Sequence, residues 1–217
     1  VDAAYGGFFK LVPEMSSKFR GIEKADSITL DPHKTLFLPF GTGTILIKSR
    51  EKALKAYHYL ADYMQDTVNA DEEVSPSDVS PELTKHFRGM RLWLPLKLFG
   101  LKPFRASLEE KLLLTRYFYN EMKQLNHYEL GPEPELSVAM FRYIPANEEV
   151  NSFNKKLIQS IQKDGRIFLS STTINGIFWI RVAVVIFRTH IEQIDLLLEI
   201  IKEKVQVLSN ERNIPST

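Results

Sequence analysis

The stretch SITLDPHKTLFLPFGTGTILIK, residues 27–48, constrains the fold more than any other. Short apolar runs with strand-like alternation in 26–31 (DSITLD) and 43–48 (GTILIK) bracket Asp-Pro-His-Lys and Gly-Thr-Gly. Either this is a surface hairpin, or the first run is a strand whose end presents Lys34 to a ligand. A lysine in a solvated turn has a pKa of about 10.4 and is a poor nucleophile at neutral pH. Beside a strand terminus and partly desolvated, the same amine can lose its proton and attack a carbonyl carbon. His33 and Asp31 flank it, placed to bind an anionic group or to tune the site.

A second reactive position lies about 30 residues earlier, in VDAAYGGFF. Asp2 stands among Val1, Ala3 and Ala4, where a poorly solvated carboxylate needs a cationic or hydrogen-bonding partner. A loop or capping aspartate is the plain alternative. The nonapeptide has no methionine and no polar lead-in, and reads as the end of a buried strand running into a glycine loop; this suggests sequence upstream. Taken together, a carboxylate at one strand end and an amine at another fit a βαβ unit with adjacent strand ends. A planar cofactor could lie with a ring nitrogen at Asp2, which keeps that nitrogen protonated, and its aldehyde carbon at Lys34.

Composition narrows the classes. With 28 basic and 27 acidic residues and a net charge of +1, no basic excess points to nucleic acid. The absence of cysteine excludes disulfides, thiolate catalysis and cysteine-ligated zinc, and is compatible with an intracellular, cytoplasmic setting. No apolar run approaches the roughly 20 residues of a membrane span.

Farther along, residues 50–66 read as a helix, 67–82 as a mobile loop rich in Pro, Ser and acidic side chains, and helical signals resume from about Leu83, with Pro95 a possible kink. Ser107 and Glu110 suggest a capping box for a helix reaching about Leu125. After Asn126 come strand-like 127–131 and 136–143, a helix capped by Asn147, strand-like 166–171 and 177–187, and a last helix opened by a Thr189–Glu192 capping box. The order ββαββα is a compact α+β unit. The division expected is 1–105 and 106–217, the second part comprising a bridging helix and this unit.

VDAAYGGFF followed by KADSITLDPHKTLFLPFGTGTILIK, at this spacing, resembles the pyridoxal-phosphate-dependent group II amino acid decarboxylases, relatives of aromatic amino acid, glutamate and tyrosine decarboxylases. HFRGMRLWLPLKLFG resembles that family's Arg-x-x-(Lys/Arg)-x-Trp helix. The resemblance covers essentially residues 1–208. It implies an α/β fold-type I (aspartate aminotransferase-like) architecture: the later part of a large cofactor-binding domain, then a small C-terminal α+β domain. It implies Lys34 as the Schiff-base lysine, Asp2 as partner of the pyridine nitrogen, Ala4 near the ring and His33 beside the attachment point, with Asp31 in the same cofactor-binding set. Arg181 falls where the family reads a substrate carboxylate, a role suited to a guanidinium fork, although a structural strand arginine would look the same. Thr42, in Gly41-Thr42-Gly43, could approach a phosphate, that of a neighbouring subunit included; a plain tight turn is the simpler reading, since three residues are too short for a phosphate loop.

The function implied is decarboxylation of an amino acid to an amine and CO2, by a homodimer or by pairing with an N-terminal half chain. Members are much longer, so the site in these 217 residues is expected to be incomplete. Two departures matter. No tyrosine lies between Tyr63 and Tyr117, where relatives carry a proton-donating tyrosine, the matching position falling near Pro76; and Thr35 replaces a bulky tryptophan after the lysine. An aldehyde synthase, aminotransferase or lyase on the same scaffold, and a non-catalytic dimerisation subunit, are the competing readings.

Overall fold

The computed structural model describes residues 1–57 and 75–210. The chain divides into two compact units, Val1–Arg105 and Ala106–Thr217. Most of the expected loop, 67–74, and the end of the expected helix, 58–66, lie outside the described residues; 75–82 are turns and bends.

In the first unit the chain leaves Ala4 into three short 3-10 helices, Gly7–Leu11, Pro13–Phe19 and Ile22–Lys24. They bury Phe9, Val12 and Met15. Strand β1 (Ser27–Leu30) follows, then a one-turn helix α1 (Pro32–Thr35) and strand β2 (Thr44–Ile47). β1 and β2 are antiparallel, Leu30 opposite Thr44 and Ser27 opposite Ile47. On its other edge β1 pairs in parallel with the first residues: Asp2 bridges Thr29. The hairpin and the lysine-presenting strand end are therefore the same object. Helices α2 (Arg50–Tyr57) and α3 (Gly89–Phe99) follow, α3 containing Pro95 and ending where the Gly100 amide donates to the Leu96 carbonyl at 2.9 Å.

Close approach of the crossover to β1 depends on Gly7. A Cβ there would lie 2.1 Å from Leu30 Cδ2 and 3.1 Å from Ala3 Cβ. Gly7→Ala is expected to lower stability by about 1–3 kcal/mol, the usual cost of forcing atoms into a filled site. Denaturant unfolding of the full-length protein checks this, and an unchanged midpoint would mean Leu30 rotates away freely.

The second unit begins within helix α4 (Lys102–Lys123), whose buried Leu108, Leu112, Thr115, Phe118 and Met122 recur at helical spacing. Ser107 lies inside this helix and does not cap it; Pro103 fits the first turn, where its missing N–H costs nothing. Strands β3 (Tyr128–Leu130), β4 (Val138–Tyr143), β5 (Ser170–Ile174) and β6 (Ile177–Ala183) form one antiparallel sheet in the order β3-β4-β6-β5. Helices α5 (Val150–Asp164) and α6 (Ile191–Asn210) complete it. Ala139, Phe141, Phe178, Ile180 and Val182 meet Phe153, Leu157, Ile161, Ile194, Leu198 and Ile201 in a single core.

The caps differ in detail from expectation. Glu149, not Asn147, caps α5: its carboxylate accepts from the Asn151 and Ser152 amides at 2.9 and 2.7 Å. These two amide hydrogen bonds, that from Asn151 first, keep the Glu149 acid below its ordinary range. At α6 the bond is shifted by one residue, the His190 amide donating to the Gln193 side chain at 2.8 Å. Among the described residues no helix is long and apolar enough to cross a membrane.

Candidate active site

The parallel ladder sets the first reactive carboxylate. Thr29 N–H donates to the Val1 carbonyl, Ala3 N–H to the Thr29 carbonyl, both at 3.1 Å, and Asp31 N–H to the Ala4 carbonyl at 3.3 Å. The two chain segments thus end level, at Ala4 and Asp31. Ala3 faces inward and is buried, so Asp2, one residue out of phase, points to the opposite side and is exposed. This corrects the expectation of a poorly solvated carboxylate. Its Oδ1 accepts from the Ala4 amide at 3.1 Å and from the Thr29 hydroxyl at 3.2 Å. These two donors, the amide first, hold the Asp2 acid below its usual range; slight burial opposes them and the Lys34 charge adds to them.

The lysine is placed by α1. Asp31 takes the extended conformation at the end of β1, Pro32 occupies the first helical turn, and the Lys34 amide donates to the Asp31 carbonyl at 2.9 Å. Lys34 Nζ lies 2.8 Å from Asp31 Oδ2, with 42% of the lysine side chain exposed. Within this chain the amine is ion-paired and more than half of its side chain is covered. Gly43 lies beside this pair: a Cβ added there would stand 3.4 Å from Asp31 Oδ1.

His33 and Thr35 carry the site's unmet polar atoms. His33 Nδ1 and Thr35 Oγ1 are buried without a hydrogen-bond partner. Such atoms are uncommon, because leaving a buried group unpaired costs about 1–3 kcal/mol. The His33 ring stands edge-on to Phe40, centroids 5.4 Å apart. Thr42 is buried and its hydroxyl donates to the Pro39 carbonyl at 2.8 Å, while Gly41 takes φ 84°, the geometry of a tight turn. Arg91 on α3, a residue the sequence did not single out, donates from Nη1 to the Phe40 carbonyl at 3.0 Å. Its place in the Arg-x-x-(Lys/Arg)-x-Trp pattern was the available signal, but nothing in the pattern names its partner.

Arg181 belongs to the second unit. It lies on β6 opposite Met140 and Ser170, on the sheet face away from the core, half-buried, with Nη1 3.4 Å from the Ser170 hydroxyl. On the same face Arg142 pairs with Glu129 at 2.6 Å and lies 5.1 Å from the Trp179 ring centroid.

The donor set of the first unit fits pyridoxal 5'-phosphate. A carboxylate that keeps its charge suits a protonated ring nitrogen, and an accessible primary amine suits an aldehyde carbon.

Comparison with known proteins agrees. A family model described as "Pyridoxal-dependent decarboxylase conserved domain" matches residues 1–144. The aromatic-L-amino-acid decarboxylase of Bacillus atrophaeus is 31% identical over 218 residues, covering 98% of this chain and 45% of that protein. The crystal structure of Oryza sativa TDC with PLP and tryptamine superposes with a TM-score of 0.87 at 21% identity, covering 96% of this chain and 44% of that one. That of Rhodiola rosea 4-hydroxyphenylacetaldehyde synthase gives 0.85 at 20% identity, covering 96% and 43%. The chain therefore spans less than half the length of these proteins and shares their fold-type I architecture. Both the family match, which covers most of the chain, and the donors grouped at the end of β1 lead to one assignment: this chain belongs to the pyridoxal-dependent decarboxylase family.

Proposed function

We propose that this chain supplies the lysine-bearing half of an amino acid decarboxylase that uses pyridoxal 5'-phosphate and releases an amine and CO2. The observation that carries the reading is the common placement of Asp2 and Lys34: one strand, β1, positions the carboxylate on its edge through Thr29 and the amine at its end through Asp31. When bound, the cofactor supplies an electron sink for the pair left on the substrate as CO2 departs.

The chain's own groups would do the rest. Asp2 would hold a proton on the ring nitrogen, which a carboxylate fixed by two donors does well. Lys34 would carry the cofactor in the resting protein, yield its place to the substrate amine, and take it back as the product amine leaves. Asp31 would hold the Lys34 ammonium when the lysine is not attached. His33 and Ala4 would line the cofactor, Thr42 would support the turn that follows, and Arg181 would receive the substrate carboxylate through its planar fork. Homodimer formation, or pairing with an N-terminal half chain, belongs to the same reading. It is supported by the exposed apolar side chains of α3, with Trp93 at 55%, Leu98 at 66% and Phe99 at 65% exposure. A cytoplasmic setting is proposed on the lack of cysteine.

A second reading is favoured by one observation. With no tyrosine between Tyr63 and Tyr117, the side chain expected to return a proton to the reacting carbon is missing. Reaction with dioxygen and water would then give an aldehyde, CO2, ammonia and hydrogen peroxide. One experiment tests both. Full-length protein is loaded with pyridoxal 5'-phosphate, reduced with borohydride, and digested; the cofactor is expected on the peptide containing Lys34. Unreduced protein is given aromatic and acidic amino acids, and the products are assayed. Amine without peroxide supports the decarboxylase, and aldehyde with peroxide the alternative. Failure to label the Lys34 peptide would overturn both.

A further inference from the structure

We propose that Arg91 is a positioning residue for His33: by holding the Phe40 carbonyl it pins the Phe40 ring against the half-buried imidazole beside Lys34 and keeps its Nδ1 out of water. The residues 37–43 that return the chain from α1 to β2 have little regular structure of their own. Phe37 takes φ 58° and Gly41 φ 84°, so the path turns through the left-handed region twice, once at a bulky residue that rarely adopts it. A segment folded this way needs outside contacts to keep one conformation. Arg91 provides one across 51 residues of sequence, its Nη1 reaching the Phe40 carbonyl at 3.0 Å. The same nitrogen lies 3.6 Å from where a Cβ on Gly41 would stand, so the guanidinium sits over the Phe40–Gly41 peptide.

What that peptide carries gives the contact its meaning. The Phe40 side chain is 87% exposed, so the packing of its own ring does little to hold it. Yet the ring meets His33 edge-on, 5.4 Å between centroids at 68°. His33 Nδ1 is buried and unpaired, although water would satisfy it at once if it had access. An exposed ring held from its carbonyl by a charged side chain is a cover fixed at its hinge. Arginine suits the task, since its planar group loses less freedom per hydrogen bond than an ammonium on a flexible stem. Through His33 the effect reaches the neighbouring Lys34, and in that respect the inference rests on the function proposed above.

Diethylpyrocarbonate labelling of the cofactor-free, full-length protein, read residue by residue by mass spectrometry, tests it. Arg91→Met is expected to raise the labelling rate of His33 about fivefold, the population shift produced by losing one hydrogen bond, with His127 and His190 unchanged. Phe40→Ala is expected to match it, the double variant to add nothing, and Arg91→Lys, which keeps a donor, to recover most of the protection. An unchanged His33 rate in Arg91→Met overturns the proposal, and so does a rise shared by all three histidines, which would mean general loosening. Because no cofactor is present, the result is separate from the decarboxylase reading; failure of the wild-type protein to take up pyridoxal 5'-phosphate would overturn that reading and leave the His33 result standing.

Discussion

Replacing Lys34 with alanine is expected to lower turnover of the full-length protein by about 10³-fold or more, equivalent to at least about 4 kcal/mol at 1.36 kcal/mol per decade. No other described side chain offers an accessible amine at the end of β1. Asp31, its ion-pair partner at 2.8 Å, would be left without a counter-charge, so the variant changes the charge of the site as well as its nucleophile. Lys34→Arg separates the two contributions: it restores a cation beside Asp31 but cannot attach to an aldehyde, so its turnover should stay as low as that of Lys34→Ala. The measurement is amine formation under saturating cofactor, with thermal unfolding as a control. Turnover within tenfold of wild type in either variant would remove Lys34 from the chemistry. An absorbance spectrum on adding pyridoxal 5'-phosphate to Lys34→Ala that equals that of the wild type would favour a non-catalytic subunit.

The second large effect is on stability. Phe141 is fully buried on the inner face of β4, its ring 5.8 Å from Phe118 of α4 and 6.3 Å from Tyr128 of β3, with Ile180 opposite it on β6. It therefore joins three elements of the second unit. Phe141→Ala is expected to cost about 3–5 kcal/mol, the sum of lost transfer energy and the cavity left behind. That is a large share of the 5–15 kcal/mol typical of a whole domain. Hydrogen exchange of peptides from 128–205 in the full-length protein should rise accordingly, while peptides from 1–48 keep their protection. Phe141→Leu, which retains most of the volume, should cost under about 1.5 kcal/mol. Equal exchange in Phe141→Ala and wild type would show that the core does not depend on this ring.

The readability of the sequence varied with the range of the interactions involved. Asp2 and Lys34 stood out because a strand end is marked by nearby residues, alternation before it and proline or glycine after it. The ββαββα order was visible for the same reason, each element having its own period. The 3-10 helices of 7–24 were not visible, since pieces as short as the seven-residue PEMSSKF carry no repeat long enough to show one. The exposure of Asp2 was misjudged because neighbours in sequence alternate sides on a strand, so small apolar residues beside it say little about its own environment. The caps of α5 and α6 were each displaced by a residue or two, the usual scatter when several polar side chains compete for the same free amides. Arg91 and Phe40 could not have been joined from sequence at all, because nothing local couples residues 51 positions apart.

Because β1 carries Thr29 against Asp2 and leads directly into Lys34, the gap between the two reactive groups is measured along one strand and not along the crossover that separates them in sequence. Insertions among the 3-10 turns would bulge outward and leave that gauge unaltered. A single extra residue at the Leu30–Asp31 junction would lengthen the extended run by about 3.3 Å and send Asp31, and the helical turn that carries Lys34, to the wrong side of the sheet. Of the two stretches, the short one sets the tolerance of the whole arrangement.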